Sequence, residues 1–450
     1  MFSTKEIANV TGGELVGGSV EVTSVSTDTR TLEKGALFIA VKGERFDGND
    51  YIKQAAENGA AAAISDLAAG TVKTHIPVVY VKNSRTAQLK LARYYRDKFG
   101  VKLCGVTGSV GKTSTKDMVS AVLSAKYNTL KTEGNFNNDI GLPKTLFRLG
   151  ESTEAAVIEM GMSDRGEISA LSGAAHPNCA VITNIGFCHI ENLKTRENIL
   201  AAKLEILDGM DEGALIVCGD DEYLGKLTSE DIGGRKLIRY GLSNDCDVWA
   251  EGISLNENGG KFTLRYGDTS YKASVPVMGE HHILNALAAF CVGIEFGMAP
   301  KEIIPAFMNY ESSGMRQRIE LRENNIRVIL DCYNASPTSM KSSLSVLGAV
   351  KTEGRRIAVL GDMLELGEQS KALHAGLAEF AEEYADMFFL YGREMKALRD
   401  ELTKRGAKVF HSENKQELTE LLLNGIKSGD AVLFKGSRGM KMEEIAEKIK

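Results

Sequence analysis

The segment Gly108-Ser-Val-Gly111-Lys112-Thr113 follows the apolar run 103–107 and precedes residues 114–124, which have the pattern of a helix. A strand, a glycine-bearing turn and Lys-Thr at a helix start form a cradle for a nucleotide triphosphate, because backbone N–H groups and the positive helix end receive phosphate oxygens. Lys112 would reach the outer phosphates, and the Thr113 hydroxyl would ligate Mg²⁺. The segment therefore predicts a strand-loop-helix unit that binds a nucleotide.

The match to a strict Walker A pattern is incomplete, because Val106 stands where that pattern has a glycine. The alternative is a glycine-rich turn between a strand and a helix, with Lys112 solvated at the surface. So short a string also arises by chance. Only the residues that surround it in the fold can decide between the two interpretations.

The bulk composition describes an ordinary globular protein. The chain has 450 residues, of which 25% are charged and 43% hydrophobic, so two or three domains are expected. A net charge of −6 argues against non-specific nucleic-acid binding, and no uncharged apolar run approaches the roughly 18 residues of a membrane span. The seven cysteines are scattered without metal-ligand spacing, which predicts reduced thiols in a cytoplasmic protein.

The order of predicted elements divides the chain into three α/β domains. Residues 1–82 form a small α/β module, and residues 83–313 alternate apolar strands with helices, which predicts a parallel sheet covered on both faces. Within this central domain, residues 247–277 predict a small appendage of antiparallel hairpins. Residues 314–450 predict a second, Rossmann-like doubly wound sheet.

Candidate catalytic residues follow the strands of the central domain. Glu159 comes directly after the strand 155–158, and His189 comes shortly after the strand 179–183. Because function collects at the carboxyl ends of parallel strands, these side chains and the phosphate loop would share one rim, as a MgATP site requires. Glu159 as a helix-start carboxylate and His189 as a structural histidine are the alternatives. Lys203 has apolar neighbours on a helix and, by composition alone, is a surface lysine.

Two further segments carry candidate binding groups. Residues 132–143 are crowded with amide side chains, which both donate and accept hydrogen bonds and so suit sugars and diphosphates; a turn with Asx caps is the alternative. At the junction with the third block, Arg316 could stabilise the charge of a transferring phosphoryl group. Asp331 follows a strand and could accept a ribose hydroxyl. A surface arginine and a turn aspartate are equally compatible with these facts.

Taken together, the strings of this chain resemble the Mur ligases over essentially the whole length, in the family's order. They lie at 26–30, 38–48, 107–113, 132–143, 183–191, 279–285, 331–340, 360–368 and 435–438. The strings Asp331-Cys-Tyr-Asn334 and Gly361-Asp-Met-Leu-Glu-Leu-Gly-Glu368 favour the members that add D-alanyl-D-alanine. Two residues depart from the family pattern: Cys332 replaces a common aspartate and His282 a common asparagine.

The resemblance implies an ATP-dependent ligase. It would add D-Ala-D-Ala to UDP-N-acetylmuramoyl-tripeptide through an acyl phosphate, giving the UDP-MurNAc-pentapeptide precursor of peptidoglycan. ATP and Mg²⁺, with two ions, are the implied cofactors. The partners are these small-molecule substrates, with no nucleic acid and no membrane span, and the protein is expected to be a monomer. Hinges near residues 83 and 313 would let an open form close around the substrates and exclude water from the acyl phosphate.

The resemblance also assigns residues. The catalytic residues are Lys112, Glu159, His189, Lys203 and Arg316, and Thr113, Glu159, His189 and a carbamylated Lys203 would hold metal. ATP would be bound by Thr107, Gly108, Ser109, Val110, Gly111, Lys112, Thr113, Asn285, Arg316, Asp331 and Asn334. The UDP-sugar would be bound by Ser26, Thr27, Asp28, Thr29, Arg30, Lys42, Gly43, Asp47, Gly48, Asn135, Asn137 and Asn138. The D-Ala-D-Ala or peptide candidates are Lys435, Ser437 and Arg438.

Two rival functions stay open. A folylpolyglutamate-type ligase of the same superfamily would lack the 1–82 module and the 361–368 string. A P-loop regulatory NTPase, from a different class, would hydrolyse ATP regardless of either substrate. The sequence leaves undecided whether the third peptide residue is meso-diaminopimelate or L-Lys.

Overall fold

The computed structural model describes residues 1–43, 46–314 and 316–450. Glu44 and Arg45 of the string 38–48, and Met315 beside Arg316, lie outside the described residues. The described part of the chain builds three α/β units around three main sheets, of five, nine and six strands. The predicted three-domain α/β architecture is confirmed, while the boundaries at residues 83 and 314 stay predictions.

The N-terminal unit is a five-stranded sheet with two helices and a separate strand pair. The sheet order is β2-β7-β6-β5-β4, parallel except for β2, and β1 pairs with β3. Its elements are β1 (Phe2–Ser3), α1 (Thr4–Thr11), β2 (Glu14–Val16), β3 (Glu21–Val22), β4 (Val25–Ser26), β5 (Leu37–Ile39), α2 (Ile52–Glu57), β6 (Ala62–Ser65) and β7 (Val78–Tyr80). The central strands are short, apolar and fully buried, as expected where helices cover the sheet.

The central unit alternates strands and helices and then turns antiparallel. Its first elements are α3 (Ser84–Arg96), β8 (Lys102–Thr107), α4 (Lys112–Leu123), β9 (Thr129–Lys131), α5 (Gly141–Leu146), β10 (Ala155–Glu159), α6 (Glu167–Ala175), β11 (Cys179–Ile182), α7 (Ile190–Leu193) and α8 (Arg196–Leu204). They are followed by β12 (Ala214–Cys218), β13 (Lys236–Gly241), β14 (Val248–Asn256), β15 (Gly259–Tyr266), β16 (Thr269–Val275), α9 (Glu280–Glu295) and α10 (Pro300–Ala306).

One mixed sheet runs through this unit in the order β16-β15-β14-β13-β12-β11-β8-β10-β9. It is parallel from β9 to β14 and antiparallel from β14 to β16. The predicted hairpins are therefore present, and they extend the edge of the central sheet, since β14 pairs with β13. The strand β8, which delivers the phosphate loop, lies between β10 and β11, so the carboxyl ends of these three strands meet at one edge.

The C-terminal unit is a six-stranded sheet in the order β17-β18-β22-β19-β20-β21, with only β17 antiparallel. Its elements are β17 (Arg318–Leu321), β18 (Arg327–Asp331), α11 (Pro337–Ala349), β19 (Arg356–Gly361), α12 (Ser370–Ala375), α13 (Ala378–Tyr384), β20 (Met387–Tyr391), α14 (Lys396–Lys404), β21 (Lys408–Ser412), α15 (Lys415–Gly425), β22 (Ala431–Lys435) and α16 (Glu443–Ala446). Apolar strands connected by helices give a doubly wound sheet, as predicted.

The helix α3 joins the first two units. Its Tyr94 hydroxyl donates to Glu6 of the N-terminal unit at 3.1 Å, and its Arg93 donates to the Gly173 carbonyl of the central unit at 3.0 Å. None of the helices in the described residues combines the length and apolar character needed to cross a membrane.

Candidate functional site

The phosphate loop is a glycine-dependent turn between β8 and α4. Gly108 and Gly111 have φ of 144° and 83°, values that side-chain-bearing residues rarely adopt. A Cβ atom on Gly108 would lie 1.8 Å from the Thr183 hydroxyl oxygen, so the backbone can come this close to β11 only at a glycine. The helix α4 begins at Lys112 with Gly111 as its N-cap. The predicted strand-loop-helix unit is therefore present.

Residues after the neighbouring strand β11 hold the loop in shape. The Asn184 side chain accepts from the Val110 N–H at 3.0 Å and donates to the Val110 carbonyl at 2.9 Å. The Thr183 hydroxyl donates to the same carbonyl at 2.6 Å, and the Ser109 hydroxyl accepts from the Gly186 N–H at 2.8 Å. These bonds fix the loop before any ligand arrives, which reduces the ordering that binding would cost.

Lys112 lies against its own loop. Its ammonium donates to the Gly108 carbonyl at 2.8 Å. Burial lowers the pKa of Lys112 below its usual value; nearby Arg316 adds to the lowering, and Glu159 opposes it. Lys112 of the phosphate loop, Glu159 at the end of β10 and Arg316 of the C-terminal unit are therefore close enough for their charges to interact.

Glu159 presents an unused carboxylate oxygen at the end of β10. The side chain is buried, its Oε1 accepts from the Asn137 amide at 2.9 Å, and its backbone N–H donates to the Thr132 hydroxyl at 3.0 Å. Oε2 is buried without a hydrogen bond, 4.0 Å from the Lys116 ammonium. A buried carboxylate oxygen without a partner is costly unless a cation meets it, so this group fits a Mg²⁺ ligand.

The other two predicted metal ligands differ in their surroundings. Lys203 is 2% exposed, and burial together with the nearby Lys112 lowers its pKa well below the usual value. The His189 Nδ1 lies 2.7 Å from the Glu365 carboxylate of the C-terminal unit. No three His, Cys, Asp or Glu side chains among the described residues gather as a preformed metal cluster. A metal here would therefore take much of its coordination from phosphate oxygens and water.

The N-terminal turns of α9 carry two buried polar atoms without hydrogen bonds. These are the Nδ1 of His282 and the Nδ2 of Asn285, which are three residues apart and so lie on one helix face. The Asn285 Oδ1 accepts from the Thr115 hydroxyl at 2.8 Å, and the His282 Nε2 lies 2.9 Å from the Gln317 Oε1. Burial lowers the pKa of His282 to about 3, so the ring is neutral. One free acceptor beside one free donor fits the edge of a nucleobase.

The C-terminal unit brings Asp331 and Arg316 to the same side. The Asp331 Oδ2 accepts from Ser343 at 2.5 Å and from Lys435 at 2.7 Å. The Arg316 guanidinium lies over the Tyr333 ring, 4.4 Å from its centre. Asn334 is exposed, and its Oδ1 accepts from the Ala335 N–H at 2.8 Å. Three of the predicted ATP residues thus surround the end of β18.

The predicted UDP-sugar residues of the N-terminal unit lie in two turns. In the first turn, Arg30 pairs with Asp28 at 2.7 Å, and its side-chain and backbone hydrogen bonds lower the pKa of Asp28 to about 2. Ser26 donates to the Asp28 carbonyl at 3.0 Å, and Thr27 and Thr29 complete this turn.

In the second turn, Asp47 pairs across an isolated bridge with Lys42 and accepts from the Asn49 N–H at 2.9 Å. Gly43 and Gly48 flank the bridge. A Cβ on Gly48 would meet the Val41 backbone at 2.6 Å, so only glycine fits there. Both turns present backbone groups and charges at the surface.

The asparagine side chains of the amide-rich segment 132–143 lie in different surroundings. Asn137 supports Glu159, as described above, and the Asn138 Oδ1 accepts from the Gly141 N–H at 2.8 Å. Asn135 is exposed. Arg85 joins this loop to the N-terminal unit, because it pairs with Asp139 at 2.8 Å and donates to the Lys42 carbonyl at 3.0 Å.

The dipeptide candidates are also dispersed. Lys435 is buried against Asp331, whereas the buried Ser437 accepts from the Leu364 N–H at 2.9 Å and so supports the loop 360–368. Arg438 pairs with Glu443 at 2.5 Å and is half exposed. Only Arg438 of the three presents its charge toward solvent.

Several residues of the site carry no clear signal in the sequence. Lys116 and Asp117 have the pattern of solvent-facing helix residues, yet both are buried behind the phosphate loop. Asp117 accepts from Lys131 at 2.8 Å and from Ser313 at 2.5 Å, so it ties the loop helix to the junction with the third unit. Glu365 lies in the string 361–368 and Gln317 lies beside Arg316, but only their partners in the fold show what they contact.

Comparison with known proteins covers the whole chain. The models described as "Mur ligase family, catalytic domain", "Mur ligase middle domain" and "Mur ligase, glutamate ligase domain" match residues 21–96, 106–293 and 317–438. The UDP-N-acetylmuramoyl-tripeptide--D-alanyl-D-alanine ligase of Bacillus subtilis is 39% identical, covering 99% of this chain and 98% of the relative. The ligase of the same name from Escherichia coli is 34% identical, covering 99% and 97%.

Solved structures give the same result. A crystal structure of MurF from Acinetobacter baumannii superimposes with a TM-score of 0.92 at 29% identity, covering 99% of this chain and 98% of that one. The MurF ligase of Thermotoga maritima in complex with ADP gives a TM-score of 0.83 at 29% identity, covering 95% and 96%.

Proposed function

The chain belongs to the Mur ligase family, and from this premise we propose that it joins D-alanyl-D-alanine to UDP-N-acetylmuramoyl-tripeptide at the expense of ATP. The names of full-length relatives supply the substrate pair. The observation in this structure that carries the ATP-dependent step is the buried Oε2 of Glu159, which has no hydrogen bond and lies at the rim beside the phosphate loop. A regulatory NTPase needs no second substrate unit, and here Arg316 and Asp331 come from one.

The first chemical step activates a poor electrophile. An oxygen of the substrate's terminal carboxylate attacks the γ-phosphorus of ATP, and the bond between that phosphorus and the oxygen bridging to the β-phosphate breaks. The products are ADP and an acyl phosphate. Lys112 and the loop N–H groups would neutralise the outer phosphates, and Arg316 would stabilise the charge of the group in transfer. Two Mg²⁺ ions, held by Thr113, Glu159, His189 and a carbamylated Lys203, would further neutralise the phosphate charge.

The second step forms the amide. The neutral amine of D-Ala-D-Ala attacks the acyl carbon, the tetrahedral intermediate expels phosphate, and the attacking nitrogen loses its proton. Positioning supplies most of the rate, because two substrates and a labile intermediate must be held together away from water. The turns around Asp28 and Asp47 in the N-terminal unit would hold the UDP end of the substrate, which is the end opposite its reacting carboxylate.

Lys203 fits a carbamate by its surroundings. Carbamylation requires a neutral amine, which attacks CO₂ and loses a proton. Burial and the Lys112 charge lower the pKa of Lys203, which raises the neutral fraction. The product is an anion, so it would relieve the repulsion between the two lysines and offer oxygens to a metal. We propose this modification as part of the site.

The remaining assignments follow from the same premise. All seven cysteines are free thiols, as expected in a reducing compartment, and we propose that the enzyme works in the cytoplasm as a monomer. Its partners would be small molecules only.

The function is tested by ADP release with each substrate omitted in turn, and by mass spectrometry of the product. We expect ADP only when both D-Ala-D-Ala and UDP-MurNAc-tripeptide are present, with equal amounts of pentapeptide. Tripeptides ending in meso-diaminopimelate and in L-Lys should be compared side by side. ATP hydrolysis that is indifferent to both substrates would show a regulatory NTPase instead.

A further inference from the structure

Lys435 is a buried lysine whose ammonium group pairs with other residues of the protein. It ends β22 and lies in register with Asp331, which ends the adjacent parallel strand β18. Its ammonium is 2.7 Å from the Asp331 Oδ2 and donates to the Asn334 carbonyl at 3.1 Å. The residue is 1% exposed. An ammonium has three donors, and two are committed to residues that the ATP site is expected to use.

Asp331 is held on one side only. Ser343 also donates to Oδ2, at 2.5 Å, and no hydrogen bond from any described residue reaches Oδ1. Burial by itself would raise the pKa of Asp331, but Lys435 and Ser343 outweigh it and lower the pKa, so the group is a carboxylate. The side chain remains 14% exposed. A charged oxygen with free lone pairs, fixed through its partner oxygen, is a selective acceptor for a hydroxyl group.

We infer that Lys435 is a positioning residue for the nucleotide sugar. Together with Ser343 it orients the Asp331 carboxylate by Oδ2, so that Oδ1 accepts a hydrogen bond from a ribose hydroxyl. This role deepens the proposed function and rests on it. It also gives Lys435 a different task from recognition of the dipeptide carboxylate, because an ammonium buried against Asp331 is not free to form that second ion pair.

The test measures ADP binding by calorimetry without turnover. Lys435→Met should weaken ADP about tenfold, the usual effect of losing a charged hydrogen bond. The preference for ADP over its 2′-deoxy or 3′-deoxy analogue should shrink by a similar factor. In turnover, KM for ATP should rise while KM for D-Ala-D-Ala stays unchanged. Lys448→Met, an exposed lysine of the same unit, is the matched control and should alter neither.

Removing Lys435 leaves a buried carboxylate unpaired, so the single variant could fail to fold. The double variant Asp331→Asn/Lys435→Met removes both charges and so leaves neither one buried alone, whereas Asp331→Asn leaves the Lys435 ammonium without its counter-charge. We expect each of these two variants to bind the deoxy analogues and ADP with equal affinity. The double variant should bind ADP at least as tightly as Asp331→Asn does.

Unchanged sugar discrimination in Lys435→Met, or a rise in KM for the dipeptide with normal ADP affinity, would overturn the inference and return Lys435 to the dipeptide site. Failure of the unmodified protein to bind ADP would contradict the proposed function itself, so the two failures are distinguishable.

Discussion

The Lys203 ammonium is buried and repelled by Lys112, and both effects lower its pKa. If it reacts with CO₂, the protein equilibrated with ¹³C-labelled bicarbonate should show a carbamate resonance in its ¹³C spectrum. Lys203→Gln should lack that resonance. Lys194→Gln is the control, since this exposed lysine lies on the same segment and should keep the signal. A spectrum without a carbamate in the unmodified protein would remove Lys203 from the metal ligands.

The neutral ring of His282 makes the junction between the central and C-terminal units sensitive to acid. Its pKa is about 3 in the folded protein, because burial and the adjacent His281 disfavour the charge, against an ordinary value of 6.5. The unfolded chain therefore binds the proton first. Stability is lost as the pH falls below 6.5, by at most roughly 1.4 kcal/mol per pH unit.

His282→Asn should flatten this dependence, because asparagine does not titrate. The measurement is the Tm of both proteins from about pH 7.5 to about pH 5.5, a range that brackets the start of the loss. Parallel curves would mean that another group, such as His281 or His374, governs the acid response; burial lowers the pKa of both as well.

At the scale of elements, the turn from β8 to α4 depends on Gly108. A methyl group there would lie 1.8 Å from the Thr183 hydroxyl oxygen, and the φ of 144° is strained for any other residue. Gly108→Ala should therefore shift the loop and weaken ADP about tenfold or more. Gly173→Ala is the matched control, because it lies inside α6 with open space around its Cα, and ADP affinity should not change. Equal affinities of the two variants would contradict a nucleotide site at this loop.

The edge of the central sheet at which the candidate site lies could be predicted from the sequence, because parallel strands have their carboxyl ends at the same edge. Lys112 and Glu159 lie together for that reason alone. The strands Lys236–Gly241 and Arg318–Leu321 lack the pattern of a buried strand, since each begins with a charged residue and has another charged residue inside it, and β17 is an exposed edge strand. The burial of Lys116 was also not predictable. It depends on α9 packing over α4 and on two carboxylates, that of Asp117 next to it on α4 and that of Glu159 at the end of β10.

At the scale of the whole molecule, the C-terminal unit touches the central one through residues distant in sequence. The His189–Glu365 pair, at 2.7 Å, joins the loop 360–368 to the segment after β11, and the Ser313–Asp117 bond fixes the junction to the phosphate-loop helix. The His189 hydrogen bond lowers the pKa of Glu365, so the carboxylate is charged at neutral pH. These contacts require the two units to be close, and they would break if the hinge near residue 313 opened.

Closure should therefore respond to ligands and to Glu365. We expect the radius of gyration from X-ray scattering to fall when an ATP analogue and UDP-MurNAc-tripeptide are added together, because the residues proposed to bind each of them come from two units. Glu365→Gln should shift the same titration to higher ligand concentration, since a neutral amide keeps a weaker bond to His189. Glu413→Gln removes a charge from an exposed position of the same unit and should leave the titration unchanged. Identical radii of gyration with and without all ligands would show that the units do not close about residues 83 and 313 when the ligands bind. Water would then have to be excluded from the acyl phosphate by the loops alone.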